Sequence, residues 1–333
     1  MYENERDKGI ITPKAYELIN EYVSRLNQNN IPVIFNLRHL RKILRIAKKD
    51  QNYYFGKEKG MMYKSFCIPK KTGGYRVIEA PADELKIKQR WIKDNIIDQF
   101  RISEHAIGFR KDYSIYHNAL PHVNKELVIN VDIENFFSSI KYNQILRFFT
   151  YIGYNMQTAH LLTKLCTNKR NCLPQGSPAS PSLSNILLLK MDKRLVKLAE
   201  SVGASYTRYA DDITFSGNKR IKSVVPLIIT IINDEGYKIN EKKLRLQYSN
   251  QRQIVTGLIV NKKVSVPKNR IKELEHAIYY GKKYGIIDHM KKIDCEKSFY
   301  KEYLYGMAYF IKMIEFEKGE KYLDELNKII WAY

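Results

Sequence analysis

The sequence has little with which to cross-link or anchor itself. Its four cysteines, Cys67, Cys166, Cys172 and Cys295, lack the paired spacing of a zinc site and read as reduced thiols of a cytoplasmic protein. No run of ~18 apolar residues occurs, so no simple membrane-spanning helix is expected. The opening Met1-Tyr2-Glu3-Asn4-Glu5-Arg6 is not a signal peptide. No internal repeat and no low-complexity linker interrupts the chain. Acid is also scarce, with 35 Asp and Glu against 57 Lys and Arg, a formal net charge of +22. Such an excess implies a polyanionic partner, nucleic acid well ahead of an anionic membrane surface. With 25 tyrosines and 13 phenylalanines there is material for base stacking as well. A chain of 333 residues can bury a large core and is expected to divide into two or three subdomains.

Against that scarcity, Tyr209-Ala210-Asp211-Asp212 places two carboxylates side by side. The flanking Ser205-Tyr206-Thr207-Arg208 and Ile213-Thr214-Phe215-Ser216 alternate and are β-branched or aromatic, predicting two strands meeting in a tight turn. Adjacent carboxylates raise one another's pKa, a cost that a divalent cation removes. A solvated turn would show the same Asp pair. A second element alters the balance. Glu126-Leu127-Val128-Ile129-Asn130-Val131-Asp132-Ile133 reads as a buried strand ending in an acid. Beside the hairpin, it would set Asp132 against Asp211 in a two-metal phosphoryl-transfer site.

The order of strand-Asp, Gln-Gly loop with helix, and Tyr-Ala-Asp-Asp resembles the palm of reverse transcriptases. Phe137 is the fifth residue after Asp132, and Leu173-Pro174-Gln175-Gly176-Ser177-Pro178 resembles the family's loop above the incoming nucleotide. Asn118-Ala119-Leu120-Pro121-His122 resembles the Asn-Ala-x-x-His signature of bacterial retron reverse transcriptases, and Val255-Thr256-Gly257 their Val-Thr-Gly. The resemblance runs from about Asn30 to the last helix. It implies an α+β right-hand polymerase fold. The expected parts are an N-terminal helical extension over 1–55, fingers over 56–125, a palm over 126–265 with a fingers insertion at about 143–172, and a helical thumb over 266–333.

The same resemblance implies an RNA-directed DNA polymerase using two Mg²⁺ held by Asp132, Asp211, Asp212 and the Ile133 carbonyl. Phe137 would be the steric gate that excludes a ribose 2′-hydroxyl, while Phe136 reads as core. In Ser65–Pro81, Gly73-Gly74 between two apolar runs predicts a β-hairpin. A mobile hairpin carrying two cations can neutralise a triphosphate and exclude water. Arg76 matches the family's Arg there, and Lys71 is favoured over Lys70 for its Lys. Gln175 and Gly176 would contact the nucleotide, glycine allowing close backbone approach. Ser180 is expected to cap the following helix, with Pro181 opening it. Lys243, in Gly236–Leu244, matches the lysine near the pyrophosphate that can act as general acid. Asn118 and His122 receive no chemical role.

The remaining stretches are plainer. Leu37, Leu40, Leu44 and Ala47 form one stripe of a predicted helix, opposite Arg38, Arg41, Lys42, Arg45 and Lys49. That charged face is either solvated or an RNA-backbone contact. Helical segments are expected from Lys86 to Phe100, with Ile87, Trp91 and Ile92 apolar, and from Asn143 to about Lys164. Gln253–Val260 and Val264-Ser265-Val266 are expected to form a hairpin about Asn261-Lys262-Lys263. In the C-terminal helices, Leu304, Met307, Phe310 and Ile311 make an apolar stripe.

Partners implied by the resemblance are a cognate structured non-coding RNA serving as template and primer, its branched DNA product, deoxynucleotides and a separate effector protein in anti-phage defence. No ribonuclease H domain is expected after the thumb. A group II intron or diversity-generating reverse transcriptase is the near alternative, and the former usually carries longer extensions. An RNA-dependent RNA polymerase conflicts with Phe137. A non-catalytic RNA-binding protein on the same fold would have no need of three intact acids.

Overall fold

A computed structural model of the chain describes residues 12–69, 73–295 and 298–331. Helices and short sheets are mixed, as expected for an α+β chain, and the residues fall into two compact units. The first runs to Phe109 and adds Ile133–Arg194 and Ile232–Lys238; the second holds Arg110–Asp132, Leu195–Ile231 and Ile239–Tyr333. Among the described residues no helix is long and apolar enough to cross a membrane.

The first unit opens with helix Pro13–Gln28, whose start is set by Thr12 accepting from Ala15 N at 3.3 Å and by Pro13 in the first turn. The predicted helix after Asn36 is shorter than its stripe suggests, Leu37–Ile43. Arg45 takes φ +52°, so the chain turns before Ala47 can join the face. Strands β1 (Tyr63–Pro69) and β2 (Tyr75–Pro81) form the expected hairpin, antiparallel from Tyr63↔Pro81 to Pro69↔Tyr75. Helix Asp83–Asn95 follows, burying Leu85, Gln89 and Ile92. Ile87 is exposed, because a residue five before Ile92 lies well round the helix from it.

The expected helical stretch after Asn143 is two helices, Tyr142–Tyr151 and Met156–Cys166. Helix Ala179–Leu187 begins earlier than its cap signal indicates. Pro178 is the N-cap, and Ser180 lies within the first turn, its hydroxyl donating to Pro174 O at 2.9 Å. Here the prolyl ring at 178 sets the start, and the serine closes the preceding loop instead.

The second unit is built on a four-stranded antiparallel sheet of order β4 (Ser205–Tyr209), β5 (Asp212–Gly217), β3 (Leu127–Asp132) and β6 (Arg245–Tyr248). β3 is internal, which is why its apolar run is continuous: Leu127, Val128, Ile129 and Val131 are all buried. A small hairpin, β7 (Ile254–Val255) and β8 (Leu258–Ile259), turns at Thr256-Gly257, while the expected pairing about Asn261–Lys263 is present as a single residue pair. Ser265 still reaches Ile259, through an isolated bridge. One core joins Val128 of the sheet, Val255 and Leu258 of the hairpin, and Ile271, Leu274, Leu304 and Ile311 of the C-terminal helices. Met307 and Phe310 sit only at its margin.

Candidate active site

The antiparallel register brings the acids to one end of the sheet. Asp132, last in β3, pairs across with Asp212, first in β5, and Asp212 pairs on its other side with Tyr209. Ala210 and Asp211 make the tight turn between β4 and β5. Ala210 takes φ +58°, a region costly for a residue with a Cβ. The fully buried Arg208 donates to Ala210 O at 3.2 Å and so holds the turn. The expected partner of Asp132 was Asp211; the register gives that place to Asp212.

Burial pushes the Asp212 carboxyl up to about 7, with the charges of Asp211 and then Asp132 adding to the push. Lys243 and a hydrogen bond from Asn130 oppose it. Lys243, in the short 3₁₀ turn Glu241–Lys243, donates to Asp132 Oδ2 at 2.8 Å. The resemblance expects this lysine near the pyrophosphate; the structure places its ammonium on the Asp132 carboxylate.

Among the described residues, no group of three or more His, Cys, Asp or Glu side chains is gathered closely enough to hold a metal ion. The donor set nevertheless suits a hard cation. Two carboxylates face each other in register, the third is the next residue in the chain, and Asp212 feels both neighbours as like charges. Ile133, whose carbonyl completes the expected set, follows directly on β3 and is buried.

A cavity of about 280 Å³ runs from these acids to the small hairpin, lined by Asp132, Asp212, Lys243, Arg245, Thr256 and Gly257 among others. Thr256 and Gly257 have φ +45° and +84°, as a two-residue type I′ turn demands. Glycine accepts that conformation; a β-branched threonine resists it. Its hydroxyl accounts for its presence. Thr256 Oγ1 donates to Ile115 O at 3.4 Å and accepts from Asn118 Nδ2 at 3.5 Å. The Asn-Ala-x-x-His and Val-Thr-Gly segments are thus in contact. Asn118 and His122, for which the sequence indicates no chemical role, are both fully buried and bind the unit together.

Gln247 was also missed. Its Nε2 donates to Asn130 Oδ1 at 2.5 Å and Ile254 O at 3.1 Å, while its Oε1 accepts from Ile254 N at 2.8 Å. A glutamine in an alternating strand gives no sign that it will replace backbone pairing in this way.

The remaining candidates belong to the first unit. Lys71, like Lys70, lies outside the described residues; Arg76, opposite Ile68 in β2, is exposed. Phe137 is half-buried in the turn Phe136–Ser139, with its ring 6.0 Å from Phe109, whereas Phe136 is buried as core. Gln175 O accepts from Glu79 N at 2.9 Å. At Gly176 (φ +139°) a Cβ would lie 2.9 Å from Glu79 O. The close approach that requires glycine is therefore to β2. Gln89, buried under this loop, accepts from Ser177 Oγ at 2.7 Å and donates to Tyr63 Oη and Leu165 O.

Residues 68–278 match the reverse transcriptase (RNA-dependent DNA polymerase) family. The chain is 33% identical over 325 residues to the retron Ec86 reverse transcriptase of Escherichia coli, covering 96% of this chain and 97% of that one. It belongs to the retron reverse transcriptases. This polymerase is also 32% identical over 302 residues to the retron Mx162 reverse transcriptase of Myxococcus xanthus, covering 80% of its own length and 61% of that relative. Among solved structures it is similar to apo telomerase from Candida tropicalis truncated from the C-terminal domain. There the identity is 15%, the cover 63% of this chain and 55% of that one, and the TM-score 0.42. The retron polymerase is RNA-directed and makes DNA.

Proposed function

We propose that this polymerase copies part of one cognate structured RNA into single-stranded DNA, beginning from an internal 2′-hydroxyl of that RNA and leaving a branched RNA–DNA product. The observation that carries the reading is the shared cavity. The Val-Thr-Gly turn, backed by Asn118, lines the same space as Asp132 and Asp212, so the retron-specific segments border the chemistry. The net charge of +22 suits a large folded RNA.

Asp132, Asp211, Asp212 and the Ile133 carbonyl would hold two Mg²⁺. When bound, the ions supply charge neutralisation and a lowered pKa for the attacking hydroxyl. The chain's own groups do the rest. Lys243 holds a proton at Nζ for the leaving pyrophosphate. Lys71 and Arg76 neutralise the triphosphate, with Gln175 and Gly176 bordering the nucleotide. Phe137 fills the space a ribose 2′-hydroxyl would need. The proposed division is a helical extension, fingers, palm and thumb at the boundaries expected above. The setting is the bacterial cytoplasm, with a separate effector protein in anti-phage defence.

The test supplies the protein with its own non-coding RNA, Mg²⁺ and deoxynucleotides but no primer. A short DNA attached to RNA is expected, retaining after ribonuclease a branch that a 2′,5′-debranching enzyme removes. Synthesis that needs an added 3′-hydroxyl primer would sink the 2′-priming reading and leave the reverse transcriptase standing.

A further inference from the structure

A second cavity, of about 400 Å³, opens among the C-terminal helices and shares no lining residue with the carboxylate site. Its floor is His289, on helix Ile286–Lys292, and Tyr300, at the start of helix Tyr300–Ile314; they are 5% and 4% exposed. His289 Nε2 lies 3.2 Å from Tyr300 Oη. His289 Nδ1 is buried without a hydrogen-bond partner. An unpaired polar atom on a cavity floor is costly unless a ligand completes it. Tyr280 stacks on the imidazole, ring centres 5.8 Å apart and planes 5° from parallel, which fixes the direction of that nitrogen. Burial, then the nearby His276 and Lys292, lower the pKa of His289, so the ring is neutral at neutral pH.

On the rim, Glu273 accepts from Tyr303 Oη through Oε1 at 2.6 Å. No described side chain donates to its other oxygen. The half-buried Tyr303 and the exposed Ile293 present flat and apolar surface beside it. Lys292 stands 5.3 Å from the Tyr280 ring centre and adds positive charge close by. The volume, and a lining that joins Tyr300, Tyr303 and the imidazoles of His276 and His289 to the carboxylates of Glu273 and Asp294, suit one heterocycle. A carboxylate on the rim selects among bases. Guanine alone sets two N–H donors side by side, N1–H and the 2-amino group. Adenine, cytosine and uracil each offer one donor site on that edge.

We propose that this cavity receives one unpaired guanine of the bound RNA, Glu273 accepting from its N1–H and 2-amino group while His289 Nδ1 meets O6 or N7. An extruded base held this way would fix the register of the RNA on the C-terminal helices, in a cavity that shares no residue with the carboxylate site. The inference rests on the reading that the polymerase binds a structured RNA.

The test uses the full chain in EDTA and seven-nucleotide oligouridylates carrying one central guanosine, inosine or adenosine, with binding read by fluorescence anisotropy. Inosine lacks only the 2-amino group. The guanosine oligomer is expected to bind about tenfold more tightly than the other two. Glu273→Gln should remove that preference while keeping the affinity for the adenosine oligomer and the thermal midpoint. Equal binding of all three by the wild type would overturn the proposal, as would a preference that survives in Glu273→Gln. Guanosine monophosphate should displace the guanosine oligomer only weakly; displacement at equal concentration would replace the RNA base with a free nucleotide. A guanosine preference without branched synthesis would sink the 2′-priming reading and leave the pocket standing. Branched synthesis without a preference would do the reverse.

Discussion

Ser216 Oγ lies 2.6 Å from Nδ1 of His122, an imidazole with no exposed surface. Its other nitrogen, Nε2, lies 2.8 Å from Thr207 Oγ1, and Thr207 in turn reaches Asn118 O at 3.4 Å. If the single Thr207 proton goes to that carbonyl, Nε2 carries the hydrogen and Nδ1 accepts from Ser216. The ring then clasps β4 and β5 just behind the carboxylate turn.

Such a ring must stay neutral, and burial, aided by the charge of Lys125, pushes its pKa down to about 3 from the ordinary 6.5. The folded value lies below the unfolded one, so the stabilisation is present above pH 6.5 and is lost as pH falls toward 3. Between pH 6.5 and 5 the loss should be about 2 kcal/mol. Denaturant midpoints at pH 7.5 and 5 are expected to converge by that amount in His122→Gln, which is less stable at pH 7.5. An unchanged pH dependence in the variant would mean that another group carries it.

Asp212 has the opposite sign. Its folded pKa, about 7, lies above the ordinary 3.8, so the metal-free fold is favoured at low pH and loses stability as pH rises through 7. Asp212→Asn removes the charge. At pH 8 without divalent cations the variant should be more stable than wild type by ~1–4 kcal/mol. Its primer extension with Mg²⁺ should fall at least ~100-fold, with RNA binding retained. Near wild-type extension would remove Asp212 from the site.

Neighbouring phenylalanines should separate fold from selectivity. Phe136, buried, is core, and Phe136→Ala should cost ~3 kcal/mol or more. Phe137 is only half-buried. Phe137→Ala should remain folded and raise incorporation of ribonucleotides relative to deoxyribonucleotides by ~10-fold or more, since relief of a clash exceeds the effect of one methylene. An unchanged ratio in an active variant would make Phe137 ordinary packing.

How much of this was legible in the sequence follows from the kind of interaction. The continuous apolar run before Asp132 announced an internal strand, and alternation about Ala210-Asp211 announced the hairpin, because both patterns arise from burial. The register that sets Asp132 against Asp212 rather than Asp211 depends on where the turn falls, and no periodicity states it. Thr256-Gly257 was overlooked as a turn because a β-branched residue is the wrong chemistry for positive φ. Gln89 and Gln247 were invisible for a further reason. Each is a polar residue whose partners are distant in sequence, and only the folded chain shows that its groups are satisfied.

That last kind of interaction gives the sharpest test of how the two retron segments work together. Asn118 and Thr256 are 138 residues apart, and their contact, at 3.5 Å, is at the long limit of a hydrogen bond. Thr256→Val keeps the shape but leaves Asn118 Nδ2 and Ile115 O without this hydroxyl; Asn118→Ala removes the other partner. Thr256→Val should destabilise by ~1–3 kcal/mol, since it leaves the buried Asn118 Nδ2 unpaired, and Asn118→Ala by a similar amount through loss of a fully buried side chain. Applied together they should cost less than the sum, with a coupling of at least ~0.5 kcal/mol in a double-mutant cycle read from denaturant midpoints. Thr256 also lines the cavity with Asp132 and Asp212, so DNA synthesis on the cognate RNA should fall in each single variant and fall little further in the double. Strict additivity in both stability and synthesis would show that the two segments act independently, and the contact would then be one of packing alone.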